Sequence, residues 1–176
     1  MSITKKDLIR SLNPDDAFNV LMIMLDQNPN LEDVVYQIAN QVLCNIDSEA
    51  IIAQIYNELD NLDVEELYHR SGKTRYGYIE PSEEAWVMFE EALGPFIDEM
   101  KTYQKRDMPV AAKKYCIGII KGIRKFEKES SSEFTEWAID APEEKIEIVF
   151  EVWKKGKPNE RDIAEVLEIK DENRSV

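Results

Sequence analysis

Residues 31–46 read LEDVVYQIANQVLCNI, and Leu31, Val34, Val35, Ile38, Ala39, Val42, Leu43 and Ile46 fall on the three-to-four-residue period of a helix. That spacing puts all eight on one stripe, so the segment is an amphipathic helix. Reading outward, Asn30 stands before it and Asp47 after it. Asn13, Asn30, Asp47 and Asp63 each precede such a pattern, 17, 17 and 16 residues apart, and Ser82 follows 19 residues later. Each offers a short side-chain oxygen to a free N–H of a first helical turn. Two helices with their turns therefore repeat about every 34 residues, the pitch of stacked helical hairpins. The expectation is an all-α fold of nine or ten helices, with antiparallel hairpins stacked as an α–α superhelix of tetratricopeptide or HEAT character.

The flanking segments extend this pattern. A short helix is expected over 5–12, and another over 14–27, where Pro14 suits a first helical position. Residues 17–25 of that second helix are apolar around most of its circumference. Such a helix belongs inside a layer or beneath a partner. A helix with Ile51, Ile52, Ile55, Tyr56 and Leu59 on one side follows, and then a short one over 64–70 that ends at Gly72. Residues 71–81, SGKTRYGYIEP, lose the period and read as an ordered loop. It divides an N-terminal block, 1–70, from a C-terminal block, 82–176, packed on the first, with one continuous domain as the alternative. A long helix opening at Ser82 should kink or break at Gly94-Pro95, because Pro95 has no N–H to donate. Pro109 and Pro142 open further helices, and Gly118 and Gly122 lie four apart, where a neighbouring helix can approach closely. The serines at 130–132 read as a linker, and a final helix spans 160–169. No segment alternates with period two for long enough to be a strand.

The 176 residues are 43% hydrophobic, which favours a packed core, and 33% charged with a net charge of −14. Such a chain repels nucleic acid and anionic membranes unless its basic residues are segregated. Two cysteines, Cys44 and Cys116, both in apolar helical patterns, read as free thiols rather than a disulfide framework. No basic start leads into an apolar leader, and the most apolar run, 17–25, is about half the length needed to span a bilayer. A cytoplasmic protein is expected.

Chemistry is sparse. His69 is the single histidine, so Glu66-x-x-His69 is half of a di-iron carboxylate motif without its second half. Ser71-Gly72-Lys73-Thr74 resembles the tail of a phosphate-binding loop, but Leu67 stands where a glycine is required and a helix precedes it. The carboxylate pairs Glu83-Glu84, Glu90-Glu91 and Glu143-Glu144 lie opposite apolar stripes and read as solvated faces. No catalytic residue, cofactor or metal site is expected.

Charge is more informative. Residues 101–128 hold nine basic side chains and two acidic ones, a net of +7 that leaves −21 for the rest. Lys114, Lys121, Arg124, Lys125 and Lys128 fit a stripe along one helix. Arg70, Lys73 and Arg75 form a second basic cluster interleaved with Tyr76 and Tyr78. One reading neutralises the stripe against the acidic helix before it, through rim salt bridges worth little each. The other makes both clusters a docking face for an acidic protein or for RNA, the tyrosines stacking on bases.

Several landmarks carry a resemblance: RYGYI at 75–79, PSEEAW at 81–86, Pro95-Phe96, Tyr115-Cys116-x-Gly118 with Gly122, SEFTEWAID at 132–140, and Trp153. Residues 71–153 resemble helical regions of archaeal and bacterial proteins, some of which carry a SWIM-type zinc finger elsewhere. The finger's Cys-x-Cys and Cys-x-His ligands are absent from this sequence. The resemblance implies a helical-repeat fold and an adaptor-like role. The expected function is a non-enzymatic scaffold that binds another protein, with an RNA- or nucleoprotein-associated regulator second and an enzyme third; a membrane partner is not expected.

Overall fold

A computed structural model describes residues 4–75 and 77–172. Among them the fold is all-α: nine α-helices and one small two-stranded hairpin. The chain divides into two compact units, Met1–Leu43 and Cys44–Val176. The division falls after the third helix, so residues 71–81 lie inside the second unit instead of separating two blocks. The reason is packing: the helices on either side of 71–81 share one core.

The first unit holds α1 (Lys5–Arg10), α2 (Pro14–Gln27), a 3-10 turn (Pro29–Leu31) and α3 (Glu32–Leu43). Thr4 and Asp7 form a reciprocal capping box on α1. Asn13 caps α2, its side-chain oxygen accepting from the Asp16 N–H at 2.8 Å. Asn30 does not cap α3. It lies within the 3-10 turn that Pro29, with its fixed φ, initiates. No residue of α1, α2 or α3 is buried.

The second unit contains α4 (Ser48–Asp60), α5 (Val64–Arg70), β1 (Gly72–Thr74), β2 (Gly77–Ile79), α6 (Pro81–Lys105), α7 (Pro109–Glu129), a 3-10 turn (Glu133–Glu136), α8 (Ala141–Lys154) and α9 (Glu160–Asp171). Asp47 and Asp63 cap α4 and α5 as the spacing predicts. Ser82 does not cap α6; Pro81, which needs no N–H partner, takes the first helical position one residue earlier. The stretch read as a loop contains an antiparallel hairpin with Gly72 opposite Ile79 and Lys73 opposite Tyr78. Strands of three residues are too short to show an alternating period. Gly72, at φ +91°, opens β1 instead of closing a helix in the left-handed cap.

Helix α6 runs unbroken through Pro95 for 25 residues. The break does not occur; Gly94 has no Cβ for the proline ring to strike, which removes one of the penalties of a proline inside a helix. Leu93 before it and Met100 after it are both fully buried, so packing anchors the helix on both sides of Pro95.

Helix α7 is the hub, packing against α4, α6, α8 and α9. Its contact with α4 is the closest. A Cβ on Gly122 would lie 2.7 Å from Ile55 Cβ, and one on Gly118 would lie 2.8 Å from Ile51 Cγ2. Around α7 gather Phe89, Leu93, Ile119, Ile123, Phe126, Ile146 and Trp153, each 2% exposed or less. Each such side chain contributes roughly 1.5–3 kcal/mol by leaving water. Phe89 and Phe126 meet edge to face at 5.7 Å.

Candidate functional site

Packing around α7 sorts its basic residues into two groups. The first is committed to internal partners. Lys113 Nζ donates to Asp162 Oδ1 at 2.6 Å and Glu165 Oε2 at 3.0 Å, both on α9. The bond to Asp162 raises the Lys113 pKa despite burial, and in return holds the Asp162 carboxyl below the usual range. Lys114 Nζ donates to the Cys44 carbonyl at 2.9 Å. Arg124, buried, reaches Glu143 of α8 at 2.7 Å, Glu127 at 2.9 Å and the Lys170 carbonyl at 3.2 Å. Burial opposes its charge, but the two carboxylates outweigh that penalty and its pKa is raised.

The second group faces outward. Lys121, Lys125 and Lys128 stand at i, i+4 and i+7, one face of the helix. They line a groove of about 330 Å³ whose wall also includes Glu49 and Ile52 of α4, Arg124 and Glu129 of α7, Ile169 of α9, and Glu172. Lys125 Nζ sits 5.0 Å over the Tyr56 ring and 3.9 Å from Glu129. Lys121 and Lys128 are exposed and have no ion-pair partner among the described residues. The five-residue stripe expected from the sequence is thus three lysines; Lys114 and Arg124 are spent on the fold.

Neutralisation does occur, but not between α7 and α6. The carboxylates of α6 pair elsewhere, Glu84 and Glu91 with Arg70 and Glu90 with Lys145. Lys145 is 2% exposed and lies 4.0 Å over the Trp86 ring, so its aliphatic stem fills core while its ammonium meets both an aromatic face and a carboxylate. Lys170 repeats the device, bonding Glu147 at 2.5 Å with the Phe150 ring at 4.8 Å.

The second basic cluster is dispersed. Arg70 grips Glu91 with two bonds of 2.8 and 3.1 Å and Glu84 with one of 2.6 Å. The bonds to Glu91 raise the Arg70 pKa and lower that of Glu91. Arg70 therefore stands in a separate, acidic cleft of about 270 Å³ with Glu58, Glu66 and Met88, and its charge is already matched. Lys73, Arg75 and Tyr78 are exposed on the β1–β2 hairpin; Tyr76 lies outside the described residues. The structure does not bring the Arg70 cluster and the α7 lysines into one cleft.

The remaining candidates resolve simply. His69 is exposed in the last turn of α5, and no group of three metal-ligating side chains occurs among the described residues. Ser71-Gly72-Lys73-Thr74 leaves a helix and enters a strand, the reverse of a phosphate-binding loop. Cys116 is buried, and burial pushes its thiol pKa up, away from reactivity. That Ile52 and Ile169 share one groove was not legible in the sequence, because more than a hundred residues separate the two and only docking of α9 on α7 joins them. No family model, curated protein or solved structure matches this chain.

Proposed function

We propose that this chain is a non-catalytic helical scaffold, working in the cytoplasm, that seats an amphipathic acidic segment of another protein in the groove lined by α4, α7 and α9. The observation that carries this reading is three lysines at helical spacing beside an apolar lining, two of them without an internal partner. An exposed ion pair is worth about 0–1 kcal/mol, so the lysines supply orientation and encounter rate while Ile52 and Ile169 supply the anchor. A helix laid into such a groove satisfies both requirements. The resemblance of 71–153 to adaptor-like helical regions points the same way.

The ion pairing argues against RNA as the occupant, since Lys113, Lys114 and Arg124 of α7 and Arg70 of α5 are each engaged within the fold. The test compares the wild-type chain with Lys121→Glu/Lys128→Glu in affinity capture from cell extract and in anisotropy binding of a labelled poly-glutamate peptide. Both signals should vanish in the variant while its circular dichroism is unchanged. Unaltered binding removes the groove from the proposal. Binding of a single-stranded oligoribonucleotide that falls steeply with salt would favour the RNA-associated role instead.

A further inference from the structure

The first unit carries a surface that the groove does not use. Among the described residues, twelve large apolar side chains between Leu8 and Leu43 are 41–69% exposed. On α2 they include Phe18, Met22 and Ile23, and on α3 Val34, Ile38 and Val42, the last three forming a straight i, i+4, i+8 row. We infer that α2 and α3 are a self-association surface, through which two copies of this chain pair.

Three observations select a second copy. The first is area: the exposed apolar side chains present on the order of 1,000 Å² per copy, against about 800 Å² per partner in a stable interface. The second is length. Helices of 14 and 12 residues with no buried residue are marginal by themselves in water, so each needs a cover. Two copies bury each other's stripes with two-fold symmetry, the commonest closed arrangement.

The third is charge. No Lys or Arg occurs between Arg10 and Arg70, while Asp15, Asp16, Asp26, Glu32 and Asp33 fall within 11–43. A lipid surface of anionic headgroups repels this segment. Four of those carboxylates sit in the first turns of α2 and α3, and residues 34–46 carry no charge at all, so the face itself is neutral and apolar. The unit's only cations, Lys5, Lys6 and Arg10, lie on α1. A second copy brings the matching neutral, apolar face.

Sedimentation of the full chain across a concentration series tests this. The wild type should pass from one copy of 20.5 kDa to two as concentration rises. Ile38→Glu/Val42→Glu should raise the dissociation constant by about 100-fold or more, since two carboxylates would be buried in the pair. The variant's cooperative thermal unfolding, which reports the second unit, should be unchanged, separating lost association from lost folding. A wild type that stays monomeric throughout overturns the proposal, whether hydrogen exchange over 14–43 is slow, meaning the face is covered within the chain, or fast. So does a dimer indifferent to the substitutions, or a monomer that binds lipid vesicles.

Discussion

The two units of this chain are built from helices of similar pattern but reach opposite outcomes. In the second, Ile51, Ile55 and Leu59 of α4 are buried against α7, whose glycines let the backbones close in. In the first, the more regular stripe of α3 leaves Val34, Ile38 and Val42 at least half exposed. Amphipathicity is a demand for a partner, and it does not say which partner. The second unit meets that demand internally through a hub helix; the first has its apolar face outward.

The sharpest way to break this contrast is to make one truncation in both units. Phe89→Ala should cost about 3–5 kcal/mol in chemical denaturation, because a fully enclosed ring is replaced by a cavity. Phe18→Ala, at a 62% exposed site, should leave the second unit's unfolding within about 0.5 kcal/mol of wild type. Equal costs would mean that the first unit belongs to the same core.

A smaller effect is expected from Gly122→Ala. Its Cβ would meet both Ile55 and the Ile52 backbone carbonyl at 3.3 Å, and the backbone cannot yield as a flexible side chain would. The expected loss is about 1–3 kcal/mol by overpacking, read as a lowered denaturation midpoint. Cap removal sharpens the comparison further. Asp47→Ala deprives the Glu49 and Ala50 N–H groups of their acceptor and should cost about 1 kcal/mol of cooperative stability. Asn13→Ala removes an equivalent cap from a helix with no buried residue. It should lower helical circular dichroism without moving the midpoint.

The smallest effect is electrostatic and confined to the second unit. The Asp162 pKa is lowered in the fold by Lys113, so its contribution is present above the ordinary value of 3.8 and is lost as pH falls through the lowered value. The Lys113 pKa is raised, so its contribution holds below 10.5 and is lost as pH rises through the raised value. Asp162→Asn should therefore flatten the acid limb of a thermal-midpoint profile while leaving the shape near neutrality unchanged. An acid limb identical to wild type would show that this pair does not tie α9 to α7.

Several features were legible because their causes are local. The all-helical class, the Asp47 and Asp63 caps and the close approach at Gly118 and Gly122 each depend on a few neighbouring residues. Asn30 and Ser82 failed as caps for an equally local reason: Pro29 and Pro81 set the turn before the polar side chain was reached. The basic stripe was half legible. Periodicity placed Lys114, Lys121, Arg124, Lys125 and Lys128 on one helix, but Asp162, Glu143 and the Cys44 carbonyl, which decide whether each cation is free, arrive from elements 19 to 70 residues away.

What the sequence determined alone is the set of rods and their oily sides, because helix formation and capping are settled within a turn or two of chain. The tertiary structure decided which sides were satisfied. Docking of α4, α6, α8 and α9 around α7 fixed which lysines are spent, created the groove beside Ile52 and Ile169, and anchored α6 on both sides of Pro95. Long-range packing makes those choices, since the free energy of burying a face depends on what meets it, and residues far apart in the chain supply that surface.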